Sequence, residues 1–194
     1  MGLLDYFWGA RKKTKANVKK EVSGKCQELL QWSGYWNQLV DADHYISRKE
    51  YQAELQQYTE TMRFFHSLDE NDILEDYCAK NGFDASQVRD LYHKYEQADK
   101  LVEAANEAYL AARLIEEKEY LDHILKDVDP VIRLDDDQRR VVLSDEDYSL
   151  VVAGAGAGKT TTVAAKVKYL VEKQGIDPSQ ILIISFTNKA VKEL

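Results

Sequence analysis

Residues 151–163 read VVAGAGAGKTTTV, and this stretch decides the fold that we predict for the C-terminal third of the chain. An apolar segment leads directly into closely spaced glycines, and an amphipathic segment follows them. Glycine allows backbone dihedrals that turn successive N–H groups inward around an anion. The stretch fits the phosphate-loop pattern G-x-x-x-x-G-K-[S/T], with Ala153 at the first glycine position and Gly158, Lys159 and Thr160 at the end. We therefore predict a strand, a phosphate-binding loop and a helix.

The end of the predicted loop carries side chains suited to nucleotide chemistry. Lys159 can reach the β- and γ-phosphates, and the Thr160 hydroxyl can ligate Mg²⁺. The helix that follows aims its N-terminal dipole at the same phosphates. The alternative is a glycine-rich strand-to-helix turn without a ligand, but the Lys-Thr pair and the flanking segments favour the loop. The predicted loop residues that contact the cofactor are Ala153, Gly154, Ala155, Gly156, Ala157, Gly158, Lys159, Thr160 and Thr161.

The segments on either side of the loop predict a βαβ unit. YSLVVAG (148–154) and ILIISF (181–186) have the pattern of buried strands. The segment between them, 159–175, has the pattern of a helix that ends at Gly175. Ahead of the first strand, DDDQRRVVL (135–143) predicts a short amphipathic helix. Strand, helix and strand at this spacing are typical of two parallel strands joined by a crossover helix.

Residues 12–127 contain no proline and predict consecutive helices. Ser47 and Glu50 have capping-box spacing, and Asn81 with Gly82 predicts a helix C-terminus. One helix face after Ser47 carries apolar residues at spacings of three and four: Tyr51, Leu55, Tyr58, Met62 and Phe65.

After Ser86, a coiled-coil-like apolar seam runs from Val88 to Ala112 and then shifts to Leu114, Leu121, Ile124 and Leu125. If it formed one unbroken helix, that helix would be roughly 60 Å long. The aromatic side chains of Trp32, Tyr35 and Trp36 could stack on bases, but their helical spacing favours a place in the core.

The charge of the chain is unevenly distributed. The net charge is −8, yet residues 1–26 carry +5, whereas residues 27–127 hold 10 basic and 22 acidic side chains, a net −12. The net negative charge argues against a protein that coats nucleic acid without sequence preference. We interpret the basic N-terminus as a solvated face or loose terminus; contact with phosphates or an anionic surface is the alternative.

The composition indicates a cytoplasmic protein without a metal centre of its own. Cys26 and Cys78 have no neighbour at CxxC spacing, and the four histidines lack acidic or cysteine ligands at metal spacing. No apolar run approaches the ~20 residues that span a bilayer, so we expect no membrane span.

Three segments in this order carry a family resemblance: LDDDQRRVV (134–142), AGAGAGKT (153–160) and SFTNKAVKEL (185–194). Together they closely resemble the start of the superfamily 1 DNA helicases of the Rep/UvrD type, as the glutamine motif, Walker A motif and motif Ia of that family. The resemblance implies a fold class in which a mainly α, coiled-coil-like N-terminal region precedes the first βαβ of a P-loop, RecA-like α/β motor domain. It also implies ATP and Mg²⁺ as cofactors.

Residue roles follow from the same resemblance. Gln138 is implied to hydrogen-bond the adenine edge and so to select ATP over GTP. Phe186 is implied to stack on a base of single-stranded DNA, while Thr187 and Asn188 contact its backbone. Stacking on an aromatic ring tolerates any sequence. A buried place at a strand end is the alternative for Phe186.

One position departs from the Rep/UvrD pattern. That family usually carries arginine directly after the Walker threonine, where it stacks on adenine, but this chain has Thr161. A small polar residue there resembles the helicase IV branch, which also carries a helical N-terminal extension. Residues 86–127 are similar to the helix that precedes the motor in that branch.

We therefore expect a helical accessory domain at 1–128 and the start of helicase domain 1A at 129–194. The family's DExx acidic pair and arginine fingers lie beyond motif Ia, so we expect an N-terminal fragment of a 3′-to-5′ DNA helicase that binds nucleotide at most. One alternative is a helical protein-interaction module, RNA polymerase-binding for example, that uses residues 27–127 and is attached to a P-loop ATPase. Another is a nucleotide-binding protein without a motor role.

Overall fold

The computed structural model describes the backbone of residues 15–184 and the side chains of residues 24–184. Within this range the regular structure is helical, which confirms the predicted mainly α character. None of the described helices is both long and apolar enough to cross a membrane. The α-helices are α1 (Lys15–Val40), α2 (Arg48–Glu70), α3 (Leu74–Asn81), α4 (Ala85–Glu96), α5 (Ala98–Glu116), α6 (Lys118–His123), α7 (Asp136–Leu143) and α8 (Lys159–Glu172), and a 3₁₀ helix covers Pro178–Gln180.

The chain forms two compact units. The first contains the described residues up to Ala42 together with Lys49–Val102. The second contains Asp43–Arg48 and the described residues from Glu103 onward. Helix α5 therefore begins in the first unit and continues into the second. The predicted domain boundary at residue 128 stays a prediction.

The first unit is built around buried aromatic side chains. Trp32 is fully buried and stacks on Trp36 with ring centroids 5.5 Å apart, and Tyr95 meets Trp32 edge-on at 5.8 Å. Trp32 and Trp36 therefore lie in the core, as their spacing predicts. Tyr35 is half-buried, and its hydroxyl donates to the carbonyl of Glu50 at 3.1 Å. Burial raises the pKa of Tyr35 to about 12, and the charges of Glu54 and Glu50 add to this shift.

The predicted end of α3 is confirmed. Gly82 follows Asn81 with φ 77°, in the left-handed region, and its N–H donates to the carbonyl of Cys78. Because glycine has no Cβ, it adopts this conformation without steric cost. The chain can therefore turn directly into α4.

The single helix considered for Ser86–Leu125 is wrong. The segment forms α4, α5 and α6, with breaks at Gln97 (φ −102°, ψ 10°) and Glu117 (φ −91°, ψ 8°). Hydrogen bonds of the i to i−4 type continue across both breaks. The helix axis can therefore change direction without losing its backbone hydrogen bonds. Periodicity does not reveal the break at Gln97, because the apolar spacing of three and four residues continues from Tyr95 through Ala98 to Val102. The break at Glu117 follows the shift of the apolar seam after Ala112.

The second unit has its own core, which joins α5 and α6 to α7 and α8. Its most buried members are Leu121, Val142 and Ala165, each 1% exposed or less. Ion pairs border this core: Arg139 with Asp122 at 2.6 Å, and Lys173 with Glu117 at 2.7 Å.

A buried asparagine binds the segment 43–48 within the second unit. The Asn106 side-chain amide accepts from the N–H of Ile46 at 2.8 Å and donates to its carbonyl at 2.9 Å. Ile46 is 2% exposed, and Tyr45 meets Tyr109 edge-on with centroids 6.4 Å apart. Asn106 thus supplies the two hydrogen bonds that a neighbouring strand would otherwise provide.

The predicted strands are not observed among the described residues. Residues 148–153 and 181–184 have no regular secondary structure, and Tyr148, Leu150 and Val152 are at least 87% exposed. A strand is held by ladder hydrogen bonds to a neighbour. No described segment pairs with either stretch, so their apolar pattern alone does not produce a sheet. Residues 185 and 186 of the second predicted strand lie outside the described part of the chain.

Replacement of Asn106 tests its role in the second unit. Asn106→Leu leaves both backbone groups of buried Ile46 without their partner, so we expect a loss of about 1–3 kcal/mol in the free energy of unfolding, measured by denaturant titration. Asn71→Leu is the control, since within the described residues the exposed Asn71 amide donates to the carbonyl of Ser67, one turn earlier, and to no other group. Equal losses in the two variants would contradict this role.

Candidate nucleotide-binding loop

The predicted phosphate loop ends at the start of α8. Gly156 and Gly158 have φ of 77° and 74°, both in the left-handed region that glycine favours. Gly158 is the N-cap of α8 and offers no side chain to the first-turn N–H groups. The first N–H groups of a helix have no intrahelical acceptor. They can therefore donate to an anion, whose charge the helix dipole also favours.

Lys159 lies against the loop's own backbone. Its Nζ donates to the carbonyls of Ala153 at 2.8 Å and Gly154 at 2.6 Å, and the side chain is exposed. The ammonium group of Lys159 thus lies at the surface, beside the backbone of Ala153 and Gly154. Thr160 follows in the first turn of α8 and is half-buried.

Gln138 links α7 to the loop. It is the third residue of α7 and forms a capping box with Asp135: the Gln138 N–H donates to the Asp135 carboxylate at 2.8 Å, and the Asp135 N–H donates to Gln138 Oε1 at 3.0 Å. Nε2 of the same side chain donates to the carbonyl of Ala157 at 3.2 Å. A glutamine amide has two N–H donors and two acceptor lone pairs. One N–H and one lone pair therefore remain for a ligand.

The approach of Gln138 to the loop depends on glycine at position 158. A Cβ added to Gly158 would lie 2.6 Å from Gln138 Nε2, closer than carbon and nitrogen can pack. Gly158 also has positive φ, so two separate constraints select glycine there. The motif predicts this residue, but only the structure shows that it makes room for Gln138.

Lys166 is a residue that the sequence analysis missed. It lies on α8 two turns after Lys159, and its Nζ donates to the carbonyls of Val142 at 2.9 Å and Ser144 at 2.6 Å. These carbonyls lie at the C-terminal end of α7, where carbonyl groups have no intrahelical partner and favour a cation. Burial lowers the pKa of Lys166, while the charge of Asp145 opposes that shift.

Small side chains allow α7 and α8 to approach each other closely. Val142 on α7 is fully buried, and Thr162 and Ala165 on α8 are 5% and 0% exposed. Contacts follow the same order along both helices, from Gln138 beside Ala157 to Val142 beside Lys166. The two helices therefore lie side by side in one direction, with their N-terminal ends at the loop.

The structure brings most of the predicted cofactor-binding residues together. Gln138, Ala153, Gly154, Ala157, Gly158 and Lys159 are linked by the contacts above, and Ala155, Gly156, Thr160 and Thr161 lie in the same loop and first turn. Phe186, Thr187 and Asn188 lie outside the described residues. Across the described part of the chain, no group of three or more His, Cys, Asp or Glu side chains could hold a metal ion.

Comparison with known proteins finds a family that the loop segment resembles. Residues 134–194 match the sequence model of the UvrD/REP helicase N-terminal domain. The matched segment is about a third of the chain. The match begins at the residue before the capping box of α7 and so includes Gln138 as well as the loop. It confirms the Rep/UvrD resemblance of the three motifs.

Several curated helicases are similar to the chain over this length. The protein "Probable DNA helicase II homolog" of Mycoplasma capricolum is 51% identical over 61 residues, which is 31% of this chain and 8% of that protein. The "ATP-dependent DNA helicase UvrD1" of Mycobacterium leprae is 46% identical over 61 residues, again 31% and 8%. The chain thus covers less than a tenth of these two relatives. No solved structure matches the chain.

Substitution of Gly158 separates backbone strain from the contact with Gln138. Gly158→Ala places a Cβ against Gln138 in addition to the strain of positive φ, which alone costs about 1–3 kcal/mol. Gly175→Ala is the matched control, because Gly175 has φ 70° and nothing lies within 4 Å of its added Cβ. We expect Gly158→Ala to have a lower melting temperature than Gly175→Ala, as measured by circular dichroism.

A Gln138→Ala background should abolish this difference, because the clashing side chain is then gone. Equal melting temperatures for the two glycine variants in the native background would contradict the close approach of Gln138.

Proposed function

We propose that the loop at 153–161 binds ATP together with Mg²⁺, as part of an ATP-dependent DNA helicase that translocates 3′ to 5′ on single-stranded DNA. The observation that carries this proposal is the joint placement of Lys159, Gln138 and the uncapped start of α8 around one loop. A cation, an amide and free N–H donors suit the phosphates and the base of one nucleotide.

The donor set of the loop fits ATP. The first-turn N–H groups of α8 and Lys159 Nζ are donors for phosphate oxygens, and Lys159 has only backbone carbonyls as partners in the described structure. The remaining N–H and lone pair of Gln138 suit the adenine edge, which presents one donor and one acceptor side by side. Thr161 is too short to stack on the base in the manner of arginine.

The Thr160 hydroxyl is the one side-chain oxygen of the Walker A segment 153–160, so it would hold Mg²⁺ together with phosphate oxygens and water. Mg²⁺ commonly binds in this way, through few protein ligands and substrate phosphates. The metal would supply charge neutralisation between the phosphates.

The DNA-related part of the proposal is supported by the family of residues 134–194 and by relatives named DNA helicases. In it, Phe186 stacks on a base, and Thr187 and Asn188 contact the DNA backbone. Segments 148–154 and 181–186 would form the first two parallel strands of the motor once further strands lie beside them to complete the ladder. A cytoplasmic location follows, because ATP and DNA are both available there.

Calorimetry with Mg²⁺–ATP tests the proposal on the 194-residue chain. We expect binding with a dissociation constant in the micromolar range, on the order of −8 kcal/mol. Lys159→Ala should weaken binding by a factor of about 10–100, because it removes a charge-assisted hydrogen bond. Lys126→Ala is the control, since Lys126 is an exposed lysine outside the loop.

Absence of binding by the unaltered chain would overturn the proposal for this chain. Binding that Lys159→Ala and Lys126→Ala reduce equally would show that ATP binds elsewhere.

A further inference from the structure

The feature that leads beyond nucleotide binding is the contact between Lys166 and the end of α7. Gln138 does not belong to the loop but reaches it from α7. Helix α7 has eight residues and is about 12 Å long. A helix this short moves as a rigid body, so the position of its C-terminal end also sets the position of Gln138 near its N-terminal end.

Polar contacts hold α7 to α8 and its loop at both ends. At the N-terminal end, Gln138 donates to the carbonyl of Ala157 at 3.2 Å. At the C-terminal end, Lys166 donates to the carbonyls of Val142 and Ser144 at 2.9 Å and 2.6 Å. Among the described residues, these are the hydrogen bonds that connect α7 and Ser144 to α8 and the loop. The ion pairs of α7 run to other helices, from Arg139 to Asp122 on α6 and from Arg140 to Glu107 on α5.

We propose that Lys166 is a positioning residue for base recognition: it fixes α7 so that Gln138 meets the purine edge, and it thereby sets a preference for adenine over guanine nucleotides. This inference rests on the proposed binding of nucleotide at the loop. Lys166 itself does not touch the nucleotide. Lys166 lies two turns of α8 after Lys159, and its partners are backbone carbonyls at the C-terminal end of α7.

The chemistry of the two bases explains why the effect is selective. Adenine offers an acceptor at N7 beside a donor at N6, whereas guanine offers two acceptors, N7 and O6. The free N–H and free lone pair of Gln138 match the first pattern and not the second. Displacement of Gln138 therefore weakens ATP binding and leaves GTP, which binds through its phosphates, little changed.

The experiment is calorimetric titration of the 194-residue chain with Mg²⁺–ATP and with Mg²⁺–GTP. We expect Lys166→Met to weaken ATP binding by about tenfold, the factor that one ordinary hydrogen bond is worth, and to leave GTP binding within about twofold. Lys168→Met is the matched control on the same helix, because Lys168 pairs with Asp127 and Glu172 and not with α7. Its ratio of ATP to GTP affinity should equal that of the unaltered chain.

A double variant tests whether Lys166 acts through Gln138. Gln138→Ala should lose the same factor for ATP, and the combination of Gln138→Ala with Lys166→Met should lose no more than either alone. Lys166→Arg, which can still donate to both carbonyls, should keep the preference for ATP.

Three results would overturn the inference: an unchanged affinity ratio in Lys166→Met, equal loss for both nucleotides, or additive losses in the double variant. If circular dichroism shows that Lys166→Met does not fold, Lys166→Gln replaces it, and an unchanged ratio in that variant overturns the inference equally. Equal binding of ATP and GTP by the unaltered chain would remove the inference and leave nucleotide binding intact. Binding of neither nucleotide would instead remove the proposed function.

Discussion

The contact between α7 and α8 is the physical constraint on which the candidate site depends. Small buried side chains, Thr162 and Ala165, let the two helices lie close together. Gly158 lets Gln138 reach the loop, and Lys166 holds the opposite end of α7. Without this contact the loop would still have its glycines and Lys159. It would lack a fixed amide beside them, on which the proposed preference for adenine depends.

This constraint also explains why the region before the loop matters. The α7–α8 pair packs on α5 and α6 through the core around Leu121, and Arg139 fixes α7 to Asp122. Segment 43–48 joins the same unit through Asn106. The loop is therefore supported by residues well before the matched family segment 134–194. The predicted protein partner of residues 27–127 stays a prediction, with the strongly acidic charge of that region as its support.

The sequence predicted those parts of the fold and site that depend on local chemistry. The turn at Gly82, the short helix at 135–143 and the helix after the loop depend on neighbouring residues, so a linear pattern reveals them. Lys166 and Asn106 bind backbone carbonyls and N–H groups distant in sequence, which every residue type can offer. No pattern identifies such partners. The two predicted strands are not observed among the described residues for a related reason, since a ladder needs a neighbour that an apolar run does not specify.

Hydrogen exchange of the backbone N–H groups at 154–161, with and without Mg²⁺–ATP, tests the central claim most directly. The claim is that the loop and the first turn of α8 present their N–H groups to the phosphates of ATP. We predict slower exchange of these N–H groups when ATP is present, with no change at the turn around Gly82. Exchange at 154–161 that ATP leaves unaltered, under conditions where calorimetry shows binding, would contradict the account.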